Sequence, residues 1–117
     1  MSTVPVAAQF VIKRQARRPY IRLLVKDQNG DAFDFTGAVD ATFLMYDSEG
    51  VEIISSPATL ETPLTTGVVS YAWLDGDTDV AGEFRAEFDV NYGAGELLTI
   101  PVKGNLLVQI YEDLNNA

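Results

Sequence analysis

Six cations crowd the start of the chain. Lys13, Arg14, Arg17, Arg18, Arg22 and Lys26 all fall within residues 1–26, which hold no acid. Lys13, Arg14, Arg17, Arg18, Tyr20 and Arg22 are the candidate partner-binding set. Ammonium and guanidinium groups bind carboxylates and phosphates, and the guanidinium can do so with two parallel hydrogen bonds. Residues 27–117 hold all seventeen acids with only Arg85 and Lys103, so the net charge of −9 joins a +6 segment to a −15 remainder. An acidic surface repels a phosphate backbone, which argues against a nucleic-acid binder. The favoured reading is that the cluster docks on the acidic face of a neighbouring protein. A solvated basic turn, or an anion site for nucleic acid or lipid, are the other readings. If the neighbour is an identical copy, the contact runs head to tail.

A second constellation is Asp75-Gly76-Asp77-Thr78-Asp79, with carboxylates at positions 1, 3 and 5 of a calcium-type loop. That pattern next requires Gly at position 6 and Glu at position 12, where this chain has Val80 and Ala86. The plainer reading is an acidic turn whose side chains cap backbone groups. Catalytic chemistry has little to work with. The chain has no histidine and no cysteine, so Ser48, Ser55, Ser56 and Ser70 lack the usual activating base. Thiolate metal sites and disulfides are excluded on the same count. No glycine-rich phosphate loop is visible. The expectation is therefore a non-enzymatic protein with no catalytic residues, no cofactor and no metal.

The elements that must position these residues are strands. Residues 83–92 alternate strictly, with Phe84, Ala86, Phe88 and Val90 on one side and Glu83, Arg85, Glu87 and Asp89 on the other. The charged side reads as solvated, with Arg85 paired to neighbouring acids. Residues 67–74 set Val69, Tyr71 and Trp73 against Val68, Ser70 and Ala72. Residues 39–46 are apolar on both sides, as a central strand would be. Asn29-Gly30 predicts a hairpin between 20–27 and 31–35. Asp47–Gly50 joins 39–46 to 51–55, and Gly93-Ala94-Gly95 joins 83–92 to 96–101. Pro57 and Pro63 mark a looser stretch from 56 to 66. A last strand is predicted over Asn105–Tyr111. Phe10, Phe43, Tyr71, Trp73, Phe84 and Phe88 are the expected core aromatics, while Tyr20, Tyr46, Tyr92 and Tyr111 suit a contact surface.

At 117 residues and 47% apolar composition the chain is one globular domain. It divides into an extended arm at 1–7, a β-sandwich at 8–111 and a polar tail at 112–117. Seven to nine short strands at this spacing predict an all-β, antiparallel sandwich or small barrel. The first apolar stretch precedes the basic cluster, the wrong order for a signal peptide. No run is long enough to span a bilayer, so no membrane partner is expected.

An ordered set of segments also carries a resemblance. It comprises PheValIleLys at 10–13, ArgProTyrIleArg at 18–22, ValLysAspGlnAsnGly at 25–30 and PheThrGlyAla at 35–38. AlaThrPheLeuMetTyrAsp at 41–47, GlyValValSerTyrAlaTrp at 67–73, AlaGlyGluPheArgAlaGluPheAspVal at 81–90 and ThrIlePro at 99–101 follow. Together they resemble the N-terminal domain of phage baseplate upper proteins, over about residues 10–110. The resemblance implies an immunoglobulin-like antiparallel β-sandwich. It also implies a structural subunit or adaptor of a tailed-phage virion, tail- or baseplate-associated, assembled in the host cytoplasm and contacting other virion proteins. Baseplate upper proteins carry a further C-terminal segment, and this chain stops at Ala117. A head-decoration or connector subunit is therefore an alternative expectation, and a receptor- or carbohydrate-binding module on the particle is another.

Overall fold

The structure is a computed structural model that describes residues 6–101 and 104–112, without the side chains of Val6 and Ala7. The expected arm at 1–7 and tail at 112–117 fall largely outside the described residues. Eight strands follow in order: β1 (Val6–Lys13), β2 (Ile21–Leu24), β3 (Asp40–Tyr46), β4 (Glu52–Leu60), β5 (Val68–Tyr71), β6 (Gly82–Gly93), β7 (Glu96–Ile100) and β8 (Asn105–Tyr111). A single 3-10 turn at Leu64–Thr66 precedes β5.

The strands form one hydrogen-bonded path, β1-β8-β6-β3-β4-β5-β2, with β7 on the far half of β6. β1 runs parallel to β8, and all other pairs are antiparallel. Two strands turn this path into a two-layered, nearly closed sandwich. β4 pairs with β3 from Glu52 to Ala58, then with β5 at Thr59 and Leu60, so it carries the sheet from one layer to the other. β6 is twelve residues long and serves two partners: Gly82–Ala86 pair with β8, and Phe88–Gly93 pair with β7. The end strands β1 and β2 come together over Phe10 and Ile21, leaving only a small cavity of about 50 Å³ between them.

Alternation decides what fills the interior. Phe84, Ala86, Phe88 and Val90 of β6 are buried, as are Ala41, Phe43 and Met45 of β3 and Leu106, Val108 and Ile110 of β8. From the opposite layer come Ile21, Val69, Tyr71 and Trp73. The Phe43 ring stacks on Tyr71 at 4.4 Å, and Trp73 meets both edge-on at 5.7 and 5.5 Å. Such ring pairs add roughly 0.5–1.5 kcal/mol each beyond the area they bury. Phe10, expected in the core, is half-buried and lies 5.9 Å from Trp73.

Three strand expectations change. Residues 31–35 form no strand; Asn29-Gly30 does make a tight turn, but pairing stops at one bridge between Lys26 and Ala32. Phe35 instead drops into the core with no exposed surface. Val39, the first residue of the strand predicted over 39–46, is 65% exposed because β3 begins one residue later. Pro57 lies within β4 rather than in a loose stretch. It sits opposite Thr42 of β3, before β5 takes up pairing at Thr59, so one side of β4 is open there. A strand tolerates proline in that setting because no ladder hydrogen bond is lost.

Candidate functional site

The basic cluster lies on the connection between β1 and β2, and neighbouring backbone fixes its shape. The Arg14 amide donates to the Tyr111 carbonyl at 2.6 Å, extending the β1–β8 pairing by one residue. Gln15 then takes the left-handed conformation at φ 68°, and the Ala16 amide closes the turn on the Lys13 carbonyl. Thr78, on the β5–β6 connection, pins this turn from below. Its hydroxyl donates to the Ala16 carbonyl at 2.8 Å, and its own carbonyl accepts the Gln15 amide at 3.0 Å. Thr78 is 1% exposed, so these are buried hydrogen bonds. Further on, the Trp73 indole N–H donates to the Pro19 carbonyl at 3.2 Å. The core aromatics thus hold the connection directly.

On that frame Lys13, Arg17, Arg18 and Tyr20 are exposed and Arg14 is half-buried. The Arg18 guanidinium lies 5.4 Å from the Tyr20 ring centroid, a cation–π contact that holds its plane. Arg14 donates from Nη1 to the Asp79 carbonyl at 3.4 Å, while its buried Nε has no hydrogen-bond partner. Lys13 and Arg18 border a shallow cavity of about 240 Å³ whose other walls are Val11, Ile12, Ala16, Pro19 and Tyr111. Apolar walls lower the local dielectric and strengthen attraction to a carboxylate entering between the cations.

Arg22 does not join this group. It projects from the outer side of β2 and forms a two-pronged pair with Glu61, both contacts at 2.7 Å. This is the one ion pair formed among the described residues. The Glu61 hydrogen bond raises Arg22 above its ordinary value, and the same bond lowers the Glu61 carboxyl. Among the described residues, no ion pair joins Lys13, Arg14, Arg17 or Arg18 to a carboxylate.

In the acidic loop the Asp77 side chain is spent on its surroundings. Asp77 Oδ2 accepts the Leu74 amide at 2.8 Å and the Tyr71 hydroxyl. Burial, then the Asp77 hydrogen bond, push the Tyr71 phenol up to about 12. Among the described residues, no group of three or more histidine, cysteine, aspartate or glutamate side chains is placed to hold a metal ion. Arg85 also departs from expectation. Among the described residues it pairs with no acid, and its buried Nη1 lacks a hydrogen-bond partner. Burial and Asp89 together raise the Glu87 carboxyl, and burial with Glu87, Glu52 and Asp89 raises Tyr46. Sequence reasoning missed Thr78 as the anchor of the connection. Its only sequence signal is a threonine between two turn aspartates, which reads as surface.

No family model and no curated protein matches this chain. Among solved structures it is similar to the crystal structure of CopC from Methylosinus trichosporium OB3b. The TM-score is 0.52 at 12% sequence identity, over 91% of this chain and 86% of that one. At that identity the likeness is one of β-fold. It overturns the expected role as a tailed-phage virion subunit, whether in baseplate, head or connector or as a receptor-binding module on the particle. The structural comparison leads to CopC. The reason is physical. The segments behind the expectation, Gly67-x-Val69-x-Tyr71-x-Trp73 and Gly82-x-Phe84-x-Ala86-Glu87-Phe88, are strands whose inward residues fill this core. They encode a sandwich interior, and an interior carries no function.

Proposed function

We propose that this chain is a non-catalytic, immunoglobulin-like interaction module that binds the carboxylate-rich surface of a protein partner through its β1–β2 connection. One observation carries the reading: Lys13, Arg14, Arg17 and Arg18 crowd the end of β1 and the connection after it in an acidic chain, and Lys13 and Arg18 border an apolar-walled cavity there. An acidic protein that needed only solubility would leave cations dispersed or pair them with its own acids, as Arg22 is paired. The finer fold reading is supported by the pairing of β2 with β5, of β3 with β6 and of β6 with β8, which matches the B–E and C–F–G pairings of an immunoglobulin sandwich. The non-catalytic reading is supported by the spread of the carboxylates over turns and outer strand faces.

The test is binding of a fluorescent glutamate-rich peptide to the whole chain across a salt series, with a lysine-rich peptide as control. Binding of the acidic peptide, weakening as salt rises and lost in Arg17→Glu/Arg18→Glu, is the expected result. Equal affinity in that variant, or no binding at low salt, overturns the proposal.

A further inference from the structure

We infer that the partner is a second copy of this chain, docked face to face through the outer side of the β1-β8-β6-β3-β4 layer; this rests on the reading of the basic connection given above. The outward positions follow from register. Glu52, Tyr46, Arg85 and Leu107 form one row across β4, β3, β6 and β8, and Ser55, Leu44 and Glu87 form the next. Val11, Gln109 and Glu83 lie on the same face at its β1 side. The face mixes apolar and charged groups as an interface does. Leu44 is only 9% exposed, although it points away from the core, and Val11 and Ile53 are about half exposed at 49% and 46%.

Its charge is polarised. The β1–β8 edge carries Lys13 and Tyr111, opposite each other in register, with Arg18 beside them around the cavity. The opposite edge is the β3–β4 hairpin, with exposed Glu49 and Glu52. Glu87 and Asp89 lie between, and Arg85 is the one cation among them. A two-fold axis parallel to the strands, set between two opposed faces, lays β1 of each copy over β4 of the other. Lys13 and Arg18 of one copy then meet Glu49 and Glu52 of the second, and the same contact recurs at the other end. Such a contact is self-complementary and closes as a dimer. Opposed edges of opposite sign also fix its register.

Sedimentation equilibrium of the whole chain at low and high salt, with two charge-reversal pairs, tests this. The native chain should be a dimer at low salt and dissociate as salt rises. Lys13→Glu/Arg18→Glu and Glu49→Lys/Glu52→Lys should each weaken dimerisation about tenfold or more. All four positions are exposed, so both variants should keep the native β-rich circular dichroism spectrum. Mixed in equal amounts, the two variants should form a heterodimer, because one contact is then restored with its signs exchanged and the other is the native one. A native chain that stays monomeric at low salt yet binds the glutamate-rich peptide overturns the second-copy inference and leaves the proposed function standing. Loss of peptide binding removes that function first. A dimer unaffected by either pair, or no heterodimer on mixing, also overturns the inference.

Discussion

The Thr78 hydroxyl ties the basic connection to the β5–β6 connection, and the Tyr71 hydroxyl ties that second connection to the core. Thr78→Val keeps the shape and removes the donor, so the Ala16 carbonyl loses its 2.8 Å partner in a buried place. An unsatisfied buried carbonyl costs about 1–3 kcal/mol. The turn should loosen locally as well, so amide exchange at Gln15, bonded to the Thr78 carbonyl, should accelerate more than exchange at Phe43 or Phe88. Uniform acceleration at all three would mean that Thr78 supports only global stability. Tyr71 makes a pH prediction. Its phenol titrates near 10 when unfolded and near 12 in the fold, because burial and the bond to Asp77 favour the protonated form. The stability it contributes is complete below pH 10 and drains away as pH rises toward 12. Urea midpoints at pH 9 and pH 11.5 should therefore fall further for the native chain than for Tyr71→Phe, which has no phenol to ionise. Parallel losses in both would show that other groups control the alkaline limb.

At the scale of elements, what could be read from the sequence depended on how local the signal was. β6 and β8 were legible because alternation is local and each strand has one dry and one wet side. The Asn29-Gly30 turn was legible too, but not the absence of a strand after it. Whether residues 31–35 pair depends on β5, which claims β2 from 44 residues further along or more. The same distance hid the role of Arg22. Its charge places it with the basic cluster, yet its partner Glu61 is set by the β4–β5–β2 pairing, which composition cannot report. Gly67 marks the junction where these pieces meet. At φ 73° its carbonyl accepts the Val25 amide at 2.8 Å, and an added Cβ would lie 2.7 Å from the Phe33 nitrogen and 2.9 Å from the Val25 oxygen. Gly67→Ala should cost about 2–4 kcal/mol from left-handed strain and backbone overlap. Urea denaturation measures this directly. A loss under 1 kcal/mol would mean that the β2 exit moves aside freely.

For the whole molecule, charge and fold pull in opposite directions, and salt separates them. The chain carries a net charge of −9, and among its described residues only Arg22 and Glu61 form an ion pair. Folding therefore compresses like charges more than it pairs unlike ones, and at Glu87 burial first and then Asp89 beside it raise the carboxyl. Raising ionic strength from about 0.02 M to 0.3 M shortens the screening length from roughly 20 Å to 6 Å, which relieves repulsion across the acidic face. The unfolding temperature should rise by a few degrees as a result. Binding through Lys13, Arg17 and Arg18 should move the other way, since the same ions screen the cations from a carboxylate partner. Thermal unfolding and peptide affinity measured over one salt series should thus have slopes of opposite sign. If both improve with salt, the contact is hydrophobic and the basic connection is a solvated turn. If stability falls with salt, loss of the salt-sensitive dimer outweighs the relief of repulsion.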